Sequence, residues 1–261
     1  MINHKKDQRP TTKDVVDLFS QFTPPLHFAP GKSETFNGTS YVFLARIIEQ
    51  VSGKSFAEFL KEEIFAKVGM NNTVVYLPVD PPGDVEDNSN YVKDLNTLSG
   101  TDDIALGYKA KYSEPEDILA IQNEEEDEIE ELGDFEGWKV KVEHYLNAVG
   151  GDCGIYSTVS DLLLWVDVLN NNLGKLITKE TWESSLEAMK VEGELVYACG
   201  QKVEIDENEQ YVYEHAGSWA GYNAFIRRIP AYDSYIVALA NTESYSSFEL
   251  ADAITETIFE D

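Results

Sequence analysis

Residues 37–69 read NGTSYVFLARIIEQVSGKSFAEFLKEEIFAKVG. Two helices in tandem follow from this string. In the first, Tyr41, Leu44, Ala45, Ile48 and Val51 recur at helical spacing, and Gly53 stands where the chain must leave the helix. In the second, Ser55 and Glu58 spell a capping box, and Gly69 closes the run. Phe56, Phe59, Leu60, Ile64 and Phe65 supply its buried face.

On the N-terminal side, TKDVVDLFSQF carries an apolar stripe of Val15, Val16, Leu18, Phe19 and Phe22 behind a Thr12 cap. The proline-marked turns of PPLHFAPG follow, with His27 between them. On the C-terminal side, GGDCGIYSTVSDLLLWVDVLNN places flexible glycines before a helix. Thr158 and Asp161 form its capping box, and Leu162, Leu163, Trp165, Val166 and Leu169 form its stripe. Residues 177–189 predict one more helix, capped by Thr178. Beyond residue 190 the period changes to two, predicting strands at 195–204, 209–214, 221–229 and 234–241. SFELADAITETIF then closes the chain as a helix. The order predicts an α+β protein, an antiparallel sheet with packed helices and a helical subdomain. Its parts would be helices at 12–76, an acidic loop excursion at 77–148, helices at 149–190, and sheet plus helix at 191–261.

The 261 residues carry 48 acidic and 20 basic side chains, a net charge of −28. Phosphate binding is driven by Lys and Arg displacing counterions, so nucleic acid is excluded as a partner, and anionic membrane surfaces with it. Nine of the acids fall between Glu124 and Glu136, the pattern of a solvated loop. No apolar run is long enough for a membrane span, and residues 1–12 lack the apolar stretch of a signal peptide; localisation stays unknown, cytoplasmic only for the chain as it stands.

The four histidines show no metal-ligand spacing, no phosphate-binding loop is present, and Ser157 and Ser160 read as helix-start residues. No metal and no cofactor are expected. Cys153 and Cys199 leave a disulfide open. His27 reads as structural and His144 as a surface residue. His215 opens HAGSWAGYN at a strand end beside small residues that leave room for a ligand. Arg227 and Arg228 read as surface ion-pair residues.

Three segments together resemble the serine β-lactamase and penicillin-binding-protein-like family, of the class C and D-alanyl-D-alanine carboxypeptidase type. They are FAPG through NNTVVY, GGDCGIYSTVSDLLLWVDVL, and HAGSWAGYNAFIRRIP. The resemblance implies a serine hydrolase. A serine in an S-x-x-K helix attacks an amide or ester, a Tyr-x-Asn loop adds polar groups, and a K-T-G or H-x-G strand completes the cleft.

The departures decide the expectation. No serine in the chain is followed three places later by lysine. The resemblance places that motif upstream of Pro30-Gly31, so a truncated domain is expected. The family's Tyr-Ser-Asn falls on Phe36, Asn37 and Gly38, which removes a hydroxyl and an amide. Tyr41 matches a structural tyrosine of the family. His215 and Gly217 match the H-x-G form, and Ser218 offers a backbone donor for an oxyanion. The cleft is therefore expected at Phe36, Asn37, Gly38, His215, Gly217 and Ser218. Only His215 and Ser218 stand as catalytic candidates, and an inactive protein is the first expectation. An active hydrolase is the second, with Ser218 or Ser157 as substitute nucleophile or with a segment supplied by a partner chain. The third is a cleft-based binding protein or an oligomer, holding a small molecule or peptide and covering its open side by self-association.

Overall fold

Thr11 opens the first helix, where Thr12 was expected to. The Asp14 N–H donates to Thr11 Oγ1 at 3.3 Å, and the Thr11 N–H donates back to Asp14 Oδ2 at 2.8 Å. Thr12 lies one place inside, buried, and its hydroxyl accepts the Gly150 N–H at 2.8 Å. The computed structural model describes residues 10–22, 24–77, 105, 108–112, 135–140, 148–171, 173–191, 193–219, 221–242 and 246–259.

Helix α1 (Thr12–Phe22) lies against α2 (Gly38–Ser52), with Phe19 edge-on to Phe43 at 5.3 Å between centroids. Gly53 ends α2 in the left-handed conformation, φ 71°. The face of α2 differs from the expected one. Val42 and Ala45 are the buried positions, whereas Leu44, Ile47 and Val51 are exposed at 52%, 56% and 84%. The next helix starts with the reciprocal Ser55–Glu58 box as α3 (Phe56–Phe59). It widens into a π-helical stretch at Leu60–Phe65 and ends as α4 (Ala66–Val68) before left-handed Gly69. Ala45, Phe56, Leu60, Phe65, Val68, Met70 and Val168 form one apolar core, fastening these helices to α5 (Val159–Asn170).

The predicted box at α5 is half formed. Thr158 Oγ1 accepts the Asp161 N–H at 3.1 Å, but the Asp161 carboxylate is used elsewhere. It takes the Asn72 N–H at 2.7 Å and the Thr73 hydroxyl at 2.8 Å. Leu163, expected in the core, is exposed at 36%. Thr178 caps α6 (Lys179–Ala188) as expected.

Two short antiparallel pairs lie outside the main sheet. Strand β1 (Val74–Val75) pairs with β4 (Ile155–Tyr156), and β2 (Tyr108–Tyr112) pairs with β3 (Phe135–Val140). The second pair is regular structure inside the expected loop excursion. The acidic run 124–134 lies outside the described residues.

The main sheet is antiparallel in chain order: β5 (Tyr197–Ala198), β6 (Gln201–Ile205), β7 (Tyr211–Trp219), β8 (Tyr222–Ile229) and β9 (Ser234–Ala240). The expected single strand at 195–204 is two strands, because Cys199 and Gly200 have φ of 50° and 85° and reverse the chain. The expected second strand runs on to Trp219.

Helix α7 (Ser247–Phe259) packs on one face of the sheet, where Phe225, Ala238 and Ala251 form a core. Arg227 and Arg228 are not surface residues. Successive residues of a strand point to opposite faces, and both guanidinium groups are buried. Arg227 reaches Glu214, Asp252 at 2.6 Å and the Thr255 hydroxyl at 2.6 Å, under α7. Arg228 faces α5, donating to Gln201 Oε1 at 2.7 Å and Asn170 Oδ1 at 3.2 Å, with its guanidinium 3.8 Å from the centroid of the Tyr213 ring. Asn170 is the last residue of α5, so the guanidinium also meets the negative end of that helix.

Candidate functional site

Strand β7 is paired on both sides only as far as Glu214. Strand β6 matches Lys202 with Glu214 and ends its ladder there, while β8 continues to Trp219. His215 through Trp219 therefore present one unpaired backbone edge, and all five residues are exposed. Gly217 has open space where a side chain would stand. Ser218 sits on the same edge, opposite Asn223.

The β5–β6 turn stands beside this edge. The His215 ring donates to the Gly200 carbonyl, and the crowding of its ring holds its pKa below the ordinary 6.5. A Cβ on Gly200 would stand 3.8 Å from the Tyr41 hydroxyl. That hydroxyl lies 2.6 Å from the hydroxyl of Tyr197. Phe36 completes the group, with its ring 5.9 Å from Tyr41 and 6.3 Å from Tyr197. The start of α2 and the H-x-G strand are thus joined through Tyr41, Tyr197 and Gly200.

Asn37 adjoins this group and starts the helix. It is the N-cap of α2, with Oδ1 accepting the Thr39 N–H at 2.9 Å. Gly38 adjoins Asp152, whose Cβ and Oδ2 lie 3.3 Å and 3.4 Å from where a Cβ on Gly38 would be. Gly151 lies behind Tyr41: its φ is 115°, and a Cβ there would fall 2.2 Å from the Tyr41 carbonyl oxygen. The HAG and FNG segments were marked by the sequence as the expected cleft. Tyr197 was not, since no spacing signals a contact across 156 residues.

The substitute nucleophiles fare differently. Ser218 is exposed on the β7 edge. The Ser157 hydroxyl is tied to Thr73 Oγ1 at 2.8 Å, as part of the Asp161 clamp. Cys153 and Cys199 are both free. Burial, with Asp152 beside it, pushes the Cys153 thiol up to about 12, so it holds its proton at neutral pH. Burial raises the Cys199 thiol too. His27 is exposed rather than structural, and His144 lies outside the described residues. Among the described residues no group of three His, Cys, Asp or Glu side chains could hold a metal ion. No described helix is long and apolar enough to cross a membrane.

A five-stranded antiparallel sheet flanked by helices, with an H-x-G strand near the start of α2, defines the β-lactamase and transpeptidase architecture. The chain belongs to the beta-lactamase family, whose sequence model matches residues 6–257. It is 27% identical to penicillin-binding protein 4* of Bacillus subtilis (strain 168) over 241 residues, covering 92% of this chain and 46% of that protein. Its fold is similar to that of the octameric penicillin-binding protein homologue from Pyrococcus abyssi, with TM-score 0.66 and 21% identity over 96% of this chain and 48% of that one. It is also similar to the penicillin binding protein from Bacillus halodurans, with TM-score 0.62 and 22% identity over 95% of this chain and 62% of that one. The chain spans about half the length of the curated relative it matches.

Proposed function

We propose that this chain binds a small molecule or peptide in the family's cleft without acylating itself. One observation carries the reading. The hydroxyl of Tyr41, nearest the position where Phe36 lacks one, is hydrogen-bonded to Tyr197. Burial and that bond hold the Tyr197 phenol above its ordinary pKa of 10.0, so that ring keeps its proton at neutral pH and is not poised to act as a base. The absence of any S-x-x-K string agrees. The open β7 edge supplies backbone groups along which an extended ligand can lie. Incubation with a reporter β-lactam and with a fluorophosphonate, followed by intact mass, is expected to show no adduct. A stoichiometric adduct on any serine overturns the reading.

The exposed stripe of Leu44, Ile47 and Val51 favours a second reading, in which another polypeptide or a second copy covers α2 and completes the site. Its test is solution mass by light scattering. A monomer across the micromolar range removes self-association.

A further inference from the structure

We propose that the ligand end seated at Phe36 is an organic cation of the ammonium type; this rests on the cleft being a ligand site. Three aromatic rings meet there, with the Phe36 centroid 5.9 Å from Tyr41 and 6.3 Å from Tyr197. Phe36 is 58% exposed, so its ring remains available to a ligand. A ring face carries the negative part of the quadrupole and attracts a cation, most strongly where water is partly excluded.

The charges around the rings have one sign. Asp152 places Oδ2 beside Gly38, two residues from Phe36, and is exposed. Glu34 is close enough to Tyr197 to help raise its phenol pKa. His215, on the opposite side, is held toward its neutral form. The described basic groups of the sheet are engaged elsewhere: Arg227 with Glu214 and Asp252, Arg228 with Gln201 and Asn170, Lys202 with Glu204. A carboxylate entering this corner would meet two like charges, whereas an ammonium would meet ring faces and two carboxylates.

The test compares three probes sharing one ring: benzylamine, benzyl alcohol and benzoate, titrated into the whole chain and followed by NMR shifts. Benzylamine is expected to bind about tenfold more tightly than benzoate. Phe36→Ala and Asp152→Asn should each weaken benzylamine by about three- to tenfold, while Phe36→Tyr keeps the ring and the binding. Glu187→Gln, on α6 and paired with Lys190, measures the diffuse pull of an acidic protein and should change nothing. Equal binding of benzoate, lost in Phe36→Ala, would leave the cleft as a ligand site and overturn the cation preference alone. An equal loss in Glu187→Gln would overturn it as non-specific attraction. No binding of any probe would overturn both the preference and the site.

Discussion

The hydroxyls of Tyr41 and Tyr197 stand 2.6 Å apart and join the first turns of α2 to the edge strand of the sheet, across 156 residues of chain. The bond holds the helical part to the sheet. Phe36 packs over both rings, so the start of α2 carries an aromatic cluster whose two hydroxyls are directed at each other.

Removing either hydroxyl leaves the other half-buried and unpaired. Tyr41→Phe and Tyr197→Phe are each expected to cost about 1 kcal/mol, and the double variant less than the sum. Urea unfolding of the four proteins measures it. The Tyr197 phenol is raised above 10.0 in the folded chain, so the folded state holds a proton that the unfolded state loses first. Stability is accordingly whole below about pH 10 and falls as pH rises above it. Tyr197→Phe should flatten that alkaline decline.

Asp161 offers a second junction, between α5 and the segment entering β1. Its carboxylate is buried, at 3% exposure, and accepts from Asn72 and Thr73. Asp161→Ala removes the acceptor shared by the Asn72 N–H and the buried Thr73 hydroxyl and is expected to cost about 1–3 kcal/mol, the desolvation penalty of an unsatisfied group. An unchanged denaturation midpoint would contradict this.

Local signals in the sequence were strong wherever a helix begins or ends. The Ser55–Glu58 box and the glycines at 53 and 69 fall where the spacing put them. What could not be read is which apolar residues find a partner. Leu44 and Val51 share the helical period of Ala45, yet only Ala45 meets the core of Phe56 and Val168. The β5–β6 turn was missed because Cys199 is not a residue that announces a positive φ, unlike its neighbour Gly200. Arg227 and Arg228 looked like surface charge because adjacent cations in an acidic chain usually are. Burial under two different helices, one per sheet face, is a tertiary fact. His215 and Phe36 were marked through the resemblance as expected cleft residues, but Tyr197, on which Phe36 packs, was not.

The two arginines should respond differently to loss of charge. Arg227→Met leaves Glu214 buried without its partner and is expected to cost about 3–5 kcal/mol. Replacing Glu214 by Leu in the same chain should recover part of that loss, because the remaining charge is gone. Arg228 has only neutral acceptors, a ring and a helix end, and burial lowers its pKa to about 10. Arg228→Met should therefore cost less than Arg227→Met, and thermal unfolding of the pair gives the order directly.

His215 links the cleft to pH. Its pKa lies below 6.5 because the folded chain crowds its ring, and the bond to the Gly200 carbonyl opposes this only in part. The unfolded chain then binds the proton more readily than the folded one, so stability falls as pH drops from about 6.5 through the lower folded value. Above pH 6.5 the group contributes no slope. Histidine resonances followed by NMR should show one titrating below the ordinary 6.5, and His215→Gln should remove it along with that part of the acid decline. The same protonation would place a positive charge beside the Tyr41–Tyr197 corner. An ammonium ligand should therefore bind more weakly in the parent protein once the pH is low enough to protonate His215, with a smaller change in His215→Gln. Equal pH profiles in the two proteins would mean that His215 does not face the bound ligand.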